Sequence, residues 1–180
     1  MAYGVLVPSK IMATNVETLN RTAVSGSDIE NGMVFRLDSY STGSGQGEVF
    51  AVTQAATGSL VNIWMAYSPE IVTLYAGNSA YKGIDLDPRN FYTKAGDMID
   101  AFKPQPGDLI LASADLFTGA RTAEGYAALA TGTWQLAWNS NHPADALAFK
   151  YLATEYITIA SGSAIASQRV AAYKLVCLAN

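Results

Sequence analysis

The run Lys94-Ala-Gly-Asp-Met-Ile-Asp-Ala-Phe-Lys-Pro-Gln-Pro-Gly-Asp-Leu-Ile-Leu-Ala-Ser-Ala-Asp-Leu-Phe117 decides how this chain folds. Pro104 and Pro106 fix φ and remove backbone donors, Gly107 admits a positive φ, and Asp108 can bond its own backbone, so the chain must turn here. Leu109-Ile-Leu-Ala112 follows as a short apolar run bounded by turn residues, which reads as a strand buried on both faces. Periodicity alone leaves a buried helical turn open. No reactive side chain is displayed, so the stretch is scaffold, a crossover that delivers a central strand.

Working outward, the same signals recur on both sides. Asn31-Gly32 is a favoured pair for positive φ, and Met33-Val-Phe-Arg-Leu-Asp38 alternates after it, with Met33, Phe35 and Leu37 facing inward. Ser39 to Gly47 is a Ser- and Gly-rich mobile connection to the strand Glu48–Thr53, which predicts a hairpin. Leu60–Ala66 is a third strand with apolar residues on both faces. Tyr67 to Tyr92 is broken by Ser68-Pro69, Gly77-Asn78 and Asp87-Pro88 and reads as an irregular excursion rich in Tyr and Phe. Beyond the central run, Tyr126–Ala130 is helix or strand, and Thr133–Trp138 alternates with Trp134, Leu136 and Trp138 on one face, either core or interface. Tyr156–Ile159 is a strand by β-propensity, and Arg169–Leu178 ties the end of the chain into the sheet.

Short strands separated by Gly, Ser, Asn and Pro predict a mainly β chain with little helix, a β-barrel or sandwich with irregular insertions. Residues 1–25 are expected to form an extended N-terminal arm and residues 26–180 a single β-rich domain. Within the arm, Thr14 and Glu17 have capping-box spacing for one or two helical turns from Asn15. The stretch is either a terminal strand or helix docked on the domain or an arm that reaches a neighbouring subunit.

A chain of 180 residues can bury roughly 70 % of its unfolded surface. Half of its residues are apolar and only 14 % are charged, so much of the surface is neutral polar or apolar and is expected to meet a partner. Eleven Lys and Arg against fifteen acids, with no basic run, argue against nucleic acid as that partner. No stretch approaches the ~20 apolar residues of a membrane helix, and no basic segment precedes the first apolar patch, so a soluble protein made in a cytoplasm is expected. The single Cys177 cannot form an internal disulfide and is expected to pack as a small apolar side chain.

Chemistry-bearing constellations are scarce. The one histidine, His142, sits in Asn-His-Pro within a polar loop, and one His with one Cys does not make a zinc site. Asp85-Leu-Asp-Pro-Arg-Asn90 lacks the Gly and distal Glu of a calcium loop and reads as a solvated turn. Asp97 and Asp100 would share a face if helical, but turn and cap roles suit them better. Gly43, Gly45 and Gly47 precede neither helix nor lysine and form a linker rather than a phosphate cradle. The sequence thus assigns no catalytic residue, cofactor or metal.

The order of these signals resembles the capsid decoration or cement proteins of tailed-bacteriophage heads. The resemblance rests on Val5-Leu-Val-Pro-Ser-Lys10, Asp28-Ile-Glu-Asn-Gly-Met-Val-Phe-Arg-Leu37, Gly47-Glu-Val-Phe-Ala51, Met65-Ala-Tyr-Ser-Pro-Glu70, Phe91-Tyr-Thr-Lys-Ala-Gly96 and Lys103-Pro-Gln-Pro-Gly-Asp-Leu-Ile-Leu111, in that order. It covers most of residues 5–117 and not the C-terminal third. It implies a non-enzymatic virion protein, made in the host cytoplasm, that binds the outer surface of the major capsid protein lattice. It further implies a small homo-oligomer, with a trimer as the expectation, that stabilises the DNA-filled head without contacting nucleic acid or membrane. On that reading the capsid and subunit contacts are expected at Val5, Leu6, Val7, Tyr67, Tyr75, Tyr81, Phe91 and Tyr92. The alternatives are another virion module, in a tail, baseplate or fibre, and a glycan-binding β domain using Trp134, Trp138 and the tyrosines.

Overall fold

A computed structural model describes residues 3–41, 47–55, 62–76, 79–85, 87–119, 121, 125–141, 147–160 and 167–180, with only the backbone at 72–76, 81, 84 and 160. Its strands, in chain order, begin with β1 (Leu6–Lys10), β2 (Asn20–Val24), β3 (Val34–Tyr40), β4 (Val49–Thr53) and β5 (Ile63–Ala66). They continue with β6 (Ile71–Ala76), β7 (Ser79–Ile84), β8 (Met98–Phe102), β9 (Leu109–Ser113) and β10 (Phe117–Thr118). The last are β11 (Tyr126–Leu129), β12 (Leu136–Asn139) and the two long strands β13 (Ala148–Ala160) and β14 (Ser167–Ala179). Helical turns are confined to three-residue 3-10 pieces among the described residues.

The strands make two principal sheets. One is a closed barrel, β2-β4-β3-β5-β8, and the other is a seven-stranded sheet in the order β1-β9-β14-β13-β11-β12-β10. The mainly β, barrel-containing architecture expected from the turn spacing is present. Strands β3 and β4 pair antiparallel, as the hairpin reading required.

The decisive run is the junction between these sheets. Its first part is β8, which closes the barrel against β2 and β5, and its second part is β9, which lies between β1 and β14. Between them Gly107 takes φ +96°. Buried Asp108 accepts from Gln105 N–H at 2.8 Å and Met12 N–H at 2.8 Å. Its own carbonyl accepts from Cys177 N–H at 2.8 Å, so one turn fixes three parts of the chain. Asn180 adds a second clasp, because its side chain exchanges two hydrogen bonds with the backbone of Ile63.

Because side chains alternate across a strand, the barrel wall facing the large sheet is apolar on both sides. Phe35, Trp64, Ala66, Ile99 and Ala101 fill the barrel interior. Their neighbours Val34, Ile63, Met65 and Phe102 point the other way and pack with Leu6, Ile110, Phe149 and Leu175 of the sheet. Each such side chain, fully removed from water, contributes roughly 1.5–3 kcal/mol. This is why β5 reads as apolar on both faces: it is a partition between two cores.

Several expectations are corrected. Residues 1–25 do not form a separate arm: β1 is a hydrogen-bonded edge of the large sheet and β2 is a stave of the barrel, the docked alternative. Removal of residues 1–20 would therefore strip a strand from the sheet. No helix starts at Asn15; two 3-10 turns, Met12–Thr14 and Glu17–Leu19, occupy the stretch without a side-chain cap. The excursion Tyr67–Tyr92 contains the ordered hairpin β6–β7, in which Ala76 pairs with Ser79 across the two residues Gly77-Asn78.

Trp134 does not share a face with Trp138. The strand starts only at Leu136, and Gln135 N–H bonds Thr133 Oγ1 at 3.1 Å, so alternation does not extend back to Trp134. Trp134 packs on the barrel core, while Trp138 stacks on Phe117 at 4.8 Å and meets Tyr173 edge-on at 5.2 Å. Asp100 lies on strand β8 and Asp97 in the preceding turn, so they share no helix face. His142, Gly43 and Gly45 fall outside the described residues, as do residues 42–46 of the expected mobile connection.

Candidate functional site

Two strands and one clamped loop enclose an apolar groove of about 690 Å³. One wall is Val5–Val7, a second is Tyr67–Ile71, and a third is Ile157–Ile159 of β13.

The first two walls are fixed by buried hydrogen bonds. Val5 N–H donates to Ser113 Oγ at 2.9 Å and Val5 carbonyl accepts from Ser113 N–H at 2.9 Å, which anchors the start of β1. Where the chain leaves β5, the buried Asn31 side chain clamps Ser68. Its Nδ2 donates to the Ser68 carbonyl at 2.9 Å and its Oδ1 accepts from Ser68 N–H at 2.8 Å. Ser68 Oγ in turn accepts from Asp100 N–H, and Tyr67 N–H donates to the Asp100 carbonyl at 2.8 Å. The Asn31-Gly32 turn thus both starts β3 and sets the groove wall. Beside the third wall, Arg89 donates to exposed Gln168, the β14 partner of Ile159, at 2.9 Å and forks onto Asp87 at 3.0 and 2.8 Å.

The rim carries exposed apolar side chains. Val7 is 39 % exposed, Tyr67 43 % and Ile71 50 %, and all three border the same groove. The charged residues that line it, Glu70 and Asp100, are both acids. Burial pushes the Glu70 carboxyl above its usual range, against the hydrogen bond from Asn31. Burial, reinforced by Glu70, also raises the Tyr67 phenol. Across Tyr67 and Asp100 lies a second, more polar groove of about 550 Å³, bordered by Glu17, Arg21 and Glu48.

Of the residues expected at the interface, the structure brings Val7 and Tyr67 together at this exposed rim. Val5 and Leu6 touch the groove but are buried, and Leu6 belongs to the main core, so neither side chain is a free surface contact. Phe91 is also buried, and Tyr92 packs against Tyr3 with ring centroids 4.7 Å apart, away from the groove. Tyr75 and Tyr81 lie on β6 and β7, and their side chains fall outside the described part. Sequence reasoning missed Pro69, Ile71 and Ile157. Ile71 had a signal, a large aliphatic residue directly after the Ser-Pro-Glu turn.

Among the described residues no group of three or more His, Cys, Asp and Glu could hold a metal ion, and no helix is long and apolar enough to cross a membrane. The groove offers apolar contact, a phenol and two carboxylates. No protein-family model, curated protein or solved structure matches the chain.

Proposed function

We propose that this chain is a capsid decoration protein that docks on the outer surface of a tailed-phage head through the groove rim and stabilises the DNA-filled shell. The observation that carries the reading is the exposed rim Val7, Tyr67 and Ile71 on a low-charge β body. Aromatic and aliphatic anchors supply most of the energy in protein interfaces, and interface cores are depleted of charge. The clamps from Asn31 and Ser113 hold the rim before binding, so little ordering entropy is lost on contact. A patch burying about 800 Å² per partner is enough for a specific contact, and repetition over a lattice multiplies it against internal pressure. The order of turn-and-strand signals in residues 5–117 supports the same assignment.

The test is an image reconstruction of purified DNA-filled heads with and without the chain. Added density on the outer shell that fits the barrel and seven-stranded sheet is the expected result. Density confined to tails, or none on either part, overturns the assignment.

A further inference from the structure

The two ends of the large sheet's long strands treat their free edges differently. Strand β1 is an outer edge, and it carries the devices that stop a second strand from adding: Pro8, Lys10 and a register shift between them. The opposite edge strand, β10, has only two residues. Strand β13 has 13 residues, and its two register shifts, between Ala148 and Phe149 and between Tyr151 and Ala153, fall before the stretch from Thr154 onward. Its first residues, Ala148–Lys150, pair with β11, and Tyr151 N–H bonds the Gly125 carbonyl at 3.2 Å. From Ala153 to Ala160 the described strands pair with it on the β14 side alone.

That open stretch is Ala153-Thr-Glu-Tyr-Ile-Thr-Ile-Ala160. It contains no Pro, Gly, Lys or Arg, and its β-branched and aromatic residues favour a strand. Its one charge, Glu155, is paired with Lys174 at 2.9 Å within the chain. One face is exposed: Leu152 at 48 %, Tyr156 at 54 %, with Thr154 and Thr158 between and beyond. The ribbon β6–β7 also has open edges, but it is limited to six residues a strand, and Lys82 and Gly83 interrupt β7.

We infer that the outer edge of residues 153–160 is a strand-addition site and that its occupant is the same edge of a second copy, antiparallel about a two-fold axis at Tyr156. A row of unpaired N–H and C=O groups at strand spacing is satisfied best by another strand. The stretch complements itself in this register. With Tyr156 opposite Tyr156 of the second copy, Thr154 meets Thr158, Ala153 meets Ile159, and Glu155 faces Ile157, so no like charges are directly opposed. Shifting the centre to Glu155 would oppose two carboxylates, and shifting it to Ile157 would shorten the overlap. This pairing does not rest on the capsid reading. It makes a two-fold dimer, which departs from the trimer implied by the resemblance.

The whole chain tests it. Residues directly opposite in an antiparallel pair have Cα atoms about 4.5–5.5 Å apart, within disulfide reach. Tyr156→Cys should give a disulfide-linked dimer under mild oxidation, while Val7→Cys, on the protected edge, should not. Cys177 will not interfere, because it is buried and its thiol is pushed up to about 12 by burial and by Asp108. In sedimentation velocity the parent should shift from monomer to dimer as concentration rises. Tyr156→Lys, which sets two cations opposite each other at an exposed position, should stay monomeric with an unchanged circular dichroism spectrum. A parent that is monomeric at every concentration overturns the inference, and so does a trimer in which Tyr156→Cys forms no cross-link.

Discussion

The wall between the barrel and the large sheet and the rim of the groove are built from the same kinds of side chain, yet they have opposite fates. In the wall, Val34, Ile63, Met65 and Phe102 face one core while Phe35, Trp64 and Ile99 face another. At the rim, Val7, Tyr67 and Ile71 keep between 39 % and 50 % of their surface in water. Residue type alone therefore does not decide which apolar faces of this chain are covered. What decides it is whether a second layer packs on the face.

The sharpest way to break that contrast is in the wall. Phe35→Ala opens a cavity inside the barrel, where the ring is fully buried, and should cost about 3–5 kcal/mol in a chemical denaturation series. Next in size is the junction. Asp108→Ala removes a buried side chain that accepts from the part-buried N–H groups of Gln105 and Met12 and should cost about 2 kcal/mol by the same measurement. A loss below about 1 kcal/mol in either variant would mean that these sites are not the supports described.

Between wall and rim lies Glu70, half-buried beside Tyr67. Its carboxyl is raised in the folded chain, so the folded state holds the proton more tightly than the unfolded state does. Stability contributed through this group therefore falls as pH rises from the ordinary Glu value of 4.5 through the raised folded value, and it stays low above that. Glu70→Gln removes this penalty. It should be more stable than the parent at neutral pH, by less than either change above, and its advantage should vanish as pH falls below the ordinary value. Parallel stability curves from pH 4 to pH 8 would contradict the assignment. At the rim itself the expected effect on folding is smallest. Val7→Ser and Ile71→Ser should each cost about 1 kcal/mol, because only about half of each residue is covered.

How much of this was legible follows the same division. Elements that satisfy themselves locally were readable: Gly107 and Asp108 turn into β9, Asn31-Gly32 starts β3, and the apolar run of β5 is buried throughout. Elements that depend on a distant partner were not. Val5-Leu-Val7 followed by Pro8 looks like a loose terminus until Ser113 and β9 supply its hydrogen bonds, and an edge strand with a register shift tolerates the proline. Tyr126–Leu129 becomes strand rather than helix because β12 and β13 pair on either side of it. The groove was half legible. Val7 and Tyr67 lie among the expected contacts, but Ile71 and Ile157 join them only through the clamp at Ser68 and the long β13–β14 ribbon. Buried Phe91 shows the converse, an aromatic side chain in a variable-looking stretch that the fold takes inward.

The most direct measurement of the central claim is head occupancy by the double variant Val7→Ser with Ile71→Ser, added to purified DNA-filled heads that lack the chain and read by co-sedimentation. With a circular dichroism spectrum unchanged from that of the parent, the variant should lose at least tenfold in binding. Binding equal to the parent's would show that the rim is ordinary surface and that the docking account is wrong.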